Sequence, residues 1–127
     1  DVIVNNNELG DQNNTNSSGG TGTRAIFGAG YGGSGGLDDM DYVTISTLGN
    51  SQDFGDLINS YTHTVGSGNA ASSPTRMLIA GGTDPSNNAQ NIIQYVTIAS
   101  TGDAIDFGDT ATARYYNAAC SNGHGGL

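Results

Sequence analysis

A fifteen-residue cassette is written twice in this chain, as Tyr42-Val-Thr-Ile-Ser-Thr-Leu-Gly-Asn-Ser-Gln-Asp-Phe-Gly-Asp56 and Tyr95-Val-Thr-Ile-Ala-Ser-Thr-Gly-Asp-Ala-Ile-Asp-Phe-Gly-Asp109. Nine of the fifteen positions are identical, at a constant offset of 53 residues. A repeat of this period means stacked copies of one supersecondary unit, none of which buries its apolar face alone. Matching apolar runs precede the cassettes, Arg24-Ala-Ile-Phe-Gly-Ala-Gly30 and Arg76-Met-Leu-Ile-Ala-Gly-Gly82, here at an offset of 52. The ends read as partial copies. Val2-Ile-Val4 with Glu8-Leu-Gly-Asp11 is a shortened cassette, and Cys120 to Leu127 approaches a third apolar run with His124 at the arginine position. The reading is one repeat domain over 1–127: a partial unit 1–23, units 24–75 and 76–122, and the start of another at 123–127.

The class is all-β. Glycine supplies 21 of 127 residues, there is no lysine and Glu8 is the one glutamate, so strong helix formers are scarce and no helical apolar period runs over a long window. Strands are expected over Arg24 to Gly30, Asp41 to Thr47, around Phe54, Arg76 to Gly82, Ile92 to Ser100 and around Phe107. In the second of these, Val43 and Ile45 lie on one face and Tyr42, Thr44 and Ser46 on the other. Tyr61 to Ala71 and Arg114 to Asn122 are expected to add one further strand per unit. Tyr31-Gly-Gly-Ser-Gly-Gly36 reads as a flexible connection, and the Asn, Ser, Thr and Gly tract from Asn5 to Thr23 as a long loop.

A formal charge of −9 argues against nucleic acid and anionic membranes as partners, and no apolar stretch approaches the roughly 20 residues needed to span a bilayer. The charge keeps a repetitive, strand-rich surface soluble. Cys120 is the single cysteine and is expected to be a small buried residue. Without an initiator methionine or signal peptide, the chain is expected to be a processed form or a fragment of a longer one. Asn13 and Asn16 fall in glycosylation patterns, for which chance suffices in so Asn-rich a stretch.

Four short strands in about 50 residues is the arithmetic of one propeller blade. The order Leu78-Ile-Ala-Gly81-Gly82, then Tyr95, then Phe107 at the tryptophan position, then Arg114 with Asn117-Ala-Ala-Cys120, resembles a divergent kelch repeat. The first unit departs from it, with Ala29-Gly30 for the double glycine and Tyr61 at the Arg114 position. The Tyr-Val-Thr-Ile and Asp-Phe-Gly-Asp wording also resembles repeats in virion and tail-associated proteins of marine bacteriophages. This resemblance implies a kelch-like β-propeller of four-stranded blades, about three per chain. It further implies a non-enzymatic structural or recognition role at the outside of a virion, a phage tail or another extracellular assembly.

Chemical readings of the same residues are weaker. Asp-Phe-Gly matches the magnesium motif of kinases, but a chain without lysine or a catalytic loop cannot use it that way. The glycine run at Tyr31 lacks the Lys-Ser/Thr ending of a phosphate loop. Asp53, Asp56, Asp106 and Asp109, with Asp38, Asp39 and Asp41, are the residues a calcium ion would take, yet Asp beside Gly is the ordinary vocabulary of turns. His63, His124 and Cys120 do not make a zinc set, and no Gly-x-Ser-x-Gly elbow accompanies a histidine and an acid; Gly66-Ser-Gly68 is loop sequence. No catalytic residue or metal site is therefore expected, and calcium is the one cofactor left open. About three blades fall short of the four to eight that close a ring, so self-association is expected, two chains making six blades by pairing their terminal strands. A filament assembled by strand addition is the alternative, and surface glycans meeting Tyr31, Tyr61 and Tyr115 are the ligand class in view.

Overall fold

The structure is a computed structural model that describes residues 23–32, 35–61 and 70–121, with backbone only at 60 and 61. Seven strands run through them: β1 (Arg24–Gly32), β2 (Gly35–Thr44), β3 (Gln52–Tyr61), β4 (Ala70–Ser72), β5 (Arg76–Ala80), β6 (Ile92–Thr97) and β7 (Ile105–Asp109). No helix occurs among the described residues. The strands form two antiparallel sheets, β1-β2-β3 and β4-β5-β6-β7, each a meander in chain order. The fold is all-β.

Sheet membership cuts the chain one strand away from the sequence period. Strand β4 lies within the span 24–75 but pairs with β5, Ala70 opposite Ile79 and Ser72 opposite Met77. Of the partial unit 1–23 only Thr23 is described, and 123–127 lies outside the described residues, as do Asn13, Asn16, His63, Gly66, Gly68 and His124.

Three strand expectations need correction. The glycine run after Tyr31 is a hairpin rather than a flexible connection, since Tyr31 pairs with Gly36 and Gly32 with Gly35. Here Leu37 lies across Gly32, where an added Cβ would come within 3.1 Å of its side chain. Strand β2 begins at Gly35 and ends at Thr44, because the acidic run Asp38 to Asp41 joins the ladders and the chain turns at Ile45, with Thr47 N donating to Thr44 O at 3.1 Å. The expected strand Arg114 to Asn122 is absent over its described residues 114–121. Its backbone is committed elsewhere: Gly82 N donates to Arg114 O at 2.9 Å and Arg114 N to Gln90 O at 3.0 Å. A positive φ of 54° at Tyr116 also breaks the extended run.

One core joins the sheets. Ile26, Met40, Phe54 and Leu57 of the first cluster with Ala70, Met77, Ile79, Val96 and Ile98 of the second. Each large member stabilises by about 1.5–3 kcal/mol relative to exposure, so the shared interior, not either sheet alone, holds the pair together. The double glycine of the second copy has a counterpart in backbone shape. Gly81 and Gly82 have φ of 68° and 112°, and Ala29 and Gly30 have 55° and 125°. The first copy thus keeps the pair of positive φ values, at an irregularity inside β1 and with an alanine in it.

Candidate functional site

The repeated motif is a structural device in both copies. Register shifts fall between Met40 and Asp41 on the first sheet and between Ile93 and Gln94 on the second, leaving Phe54 and Phe107 as the extra residues of β-bulges. The following glycines take φ of 136° and 140°, and the aspartates brace them, Asp53 Oδ1 accepting from Gly55 N at 3.1 Å and Asp106 Oδ1 from Gly108 N at 3.0 Å. Each phenylalanine then meets a tyrosine edge-on, Tyr42 with Phe54 at 6.0 Å and Tyr95 with Phe107 at 6.1 Å. Over each tyrosine sits an arginine, Arg24 at 4.3 Å and Arg76 at 4.5 Å from the ring centre. This Arg-Tyr-Phe stack was not apparent from sequence, although the three residues stand at equivalent places in both copies.

Around the first stack a seam forms between the sheets. The turn following β6 lies along β3, an edge strand, and caps its free backbone. Gly102 N donates to Phe54 O at 2.6 Å, Ala104 N to Asp56 O at 2.8 Å, and Asp56 N to Asp103 Oδ1 at 3.1 Å. Arg24 Nη1 donates to Ile98 O at 2.6 Å, and Ile58 N to Gln94 Oε1 at 2.9 Å. Gln94 is fully buried there, and its Nε2 has no hydrogen-bond partner among the described residues.

The second stack has no such cover among the described residues. Phe54 is 2% exposed and Phe107 is 55% exposed, although each meets a tyrosine that lies under an arginine. Among the described residues, no backbone docks on β7 as the turn docks on β3. The face of Leu78, Ile93, Tyr95 and Phe107 is open or half-buried, whereas Ile26 and Met40, the counterparts of Leu78 and Ile93, are fully buried.

The acids do not converge on an ion. Among the described residues, no group of three or more His, Cys, Asp or Glu is arranged to hold a metal. Asp39, Asp41 and Asp53 line a shallow open recess with Phe27 and Leu37. The Asp56 carboxyl is held above its ordinary value by partial desolvation and then by repulsion from Asp103, Asp38, Asp39 and Asp53. A raised folded pKa means that ionising Asp56 opposes folding. The penalty is absent below the unfolded value, grows as pH rises towards the folded value and is complete above it. Asp56→Asn is therefore expected to raise the melting temperature near neutral pH and leave it unchanged well below the ordinary carboxyl value of 3.8, read from thermal melts across that range.

Asp84 behaves oppositely. Its carboxylate accepts from Asn88 Nδ2 at 3.0 Å, Asn88 N at 2.8 Å and Ser86 N at 2.9 Å, closing an Asx turn that holds its pKa below the ordinary value. Its contribution is present above the unfolded value and is lost as pH falls through the folded one.

The remaining candidates are dispersed. Tyr31 is 71% exposed at the end of β1, Tyr61 ends β3 opposite Leu37, and Tyr115 lies edge-on to Tyr116 at 5.1 Å. Tyr31 and Tyr61 stand at one end of the first sheet by backbone register, and Tyr115 lies on the segment after β7. Cys120, expected to be buried, is exposed, because its segment does not join a sheet. No helix among the described residues is long and apolar enough to cross a membrane. No protein-family model matches this chain, and a search of the curated proteins finds no match.

Proposed function

We propose that this chain is a non-enzymatic structural or recognition module built on a kelch-like β-propeller repeat, acting in a virion, a phage tail or another extracellular assembly. The observation that carries the reading is the fate of the repeated motif. In both copies its aspartate braces a bulge and its phenylalanine packs on a tyrosine, so the residues that most invite a chemical role serve packing. What supports the propeller is the seam, which sets the second unit against the first through elements that both copies carry, as adjoining blades would. Self-association supplies the further units, and closure or its absence decides between ring and filament. Surface glycans are the proposed ligand class, met by exposed Tyr31 and Tyr115 with loop Asn and Asp side chains.

Two measurements test this reading. Sedimentation of the purified chain is expected to show concentration-dependent association, with discs or fibres in micrographs. A glycan array is expected to give binding that weakens on Tyr31→Ala. A chain that stays monomeric at every concentration sinks the assembly reading, and an array without hits sinks the adhesive one.

A further inference from the structure

We propose that a second copy of this chain docks on the open face of β5, β6 and β7, its turn 45–51 pairing with β7 as turn 98–104 pairs with β3. This rests on the assembly reading above and gives it an interface.

The receiving surface is built in advance. Arg76, Tyr95 and Phe107 repeat the stack of Arg24, Tyr42 and Phe54 to within about 0.2 Å in their contact distances. Gly108 repeats the positive φ of Gly55, yet the two differ in what lies beside them. A Cβ on Gly55 would meet Gly102 at 2.5 Å, whereas one on Gly108 would meet nothing within 4 Å. Among the described residues, nothing takes at the second copy the place that Gly102 takes at the first.

The inserting turn is also present twice. Ile98 N donates to Thr75 O at 2.9 Å and Ser100 N to Thr97 O at 3.2 Å; Ile45 N donates to Thr23 O at 2.8 Å and Thr47 N to Thr44 O at 3.1 Å. At the 53-residue offset, Gly49 stands for Gly102, Asn50 for Asp103 and Ser51 for Ala104. The turn of the first copy is exposed through Ile45, Leu48, Gly49 and Asn50. Behind it, Phe27, Val43 and Ile45 occupy the positions that Ile79, Val96 and Ile98 fill at the internal seam, and Phe27 and Ile45 are exposed.

Four of the five seam contacts transfer to give partners between two copies. Gly49 N donates to Phe107 O, Ser51 N to Asp109 O, Asp109 N to Asn50 Oδ1, and Arg76 to Ile45 O. At one contact the charges favour this pairing over the internal one. Asp103 repels Asp56 within the chain, whereas Asn50 brings a neutral amide to Asp109. Because the two surfaces differ, the contact is head to tail and leads to a ring or a filament according to its rotation.

The test uses the full chain in a Cys120→Ser background. Chains carrying Asn50→Cys and Asp109→Cys, mixed in equal amounts under mild oxidation, are expected to give a disulfide-linked heterodimer. The corresponding internal pair, Asp56 N to Asp103 Oδ1, stands at 3.1 Å. Ser86→Cys in place of Asn50→Cys is expected to give little product. Separately, Phe107→Glu is expected to weaken association at least ten-fold in sedimentation, with circular dichroism unchanged at low concentration. Cross-linking as efficient from Ser86→Cys, or association undiminished in folded Phe107→Glu, overturns this interface and leaves the assembly reading standing. Wild-type chain that never associates removes both.

Discussion

Gly55→Ala is expected to destabilise the protein by about 3–5 kcal/mol, and Gly108→Ala, the same change in the other copy, by about 1–3 kcal/mol. Both glycines have a φ that L residues rarely adopt, 136° and 140°, so both variants carry backbone strain. Only at Gly55 does the new methyl group also collide, lying 2.5 Å from the Gly102 carbonyl and 2.9 Å from Asp103 N. Those atoms are backbone and cannot swing aside. The turn must lift from β3, which loses the bonds from Gly102 N to Phe54 O and from Ala104 N to Asp56 O. Denaturant unfolding reads the difference as a larger fall in midpoint for Gly55→Ala. Equal losses at the two glycines would refute the seam as the source of the asymmetry.

Phe54→Ala is expected to cost about 3–5 kcal/mol, the range for a large buried aromatic, because the cavity would lie where the two sheets share their core. Phe107→Ala removes the same side chain from the same edge-on tyrosine contact, but from a surface already half open to water. Its cost should stay below about 2.5 kcal/mol, the sum of one aromatic pair and the half of the ring that is buried. The comparison is to be made at protein concentrations low enough to keep the chain dissociated, since the proposed interface also uses Phe107. A domain of this size has about 5–15 kcal/mol in total, so Phe54→Ala could lose much of its folded population while Phe107→Ala stays folded. Measured losses within error of each other would contradict the packing described for Phe54.

The strands of the cassettes were legible because their signal is local. Tyr-Val-Thr-Ile has the β-branched and aromatic residues of a pleated, half-buried surface, and the Thr-Leu-Gly-Asn and Ser-Thr-Gly-Asp stretches have turn residues that end it. The glycine run after Tyr31 misled because flexible linkers and tight hairpins use the same residue; the pairing of Gly32 with Gly35 decides between them. Arg114 to Ser121 misled for a different reason. Its composition suits a strand, but among the described residues no strand pairs with it, and the backbone at Arg114 exchanges hydrogen bonds with the loop between β5 and β6 instead. The bulge at Asp-Phe-Gly-Asp was hidden because a bulge is a relation between two strands, seen only once Asp41 is found opposite Asp53 and Met40 opposite Gly55.

By itself, the sequence determined an all-β chain with a doubled framework, since period-two patterning and turn chemistry act within a few residues and recur at a fixed offset. Which copy is buried was decided only by the tertiary structure. Phe54 and Phe107 stand in the same words, behind the same bulge, against the same tyrosine, and are 2% and 55% exposed. Burial is set by what lies across the sheet face, and that neighbour comes from another part of the fold: the turn after β6 covers the first copy, and among the described residues nothing equivalent covers the second.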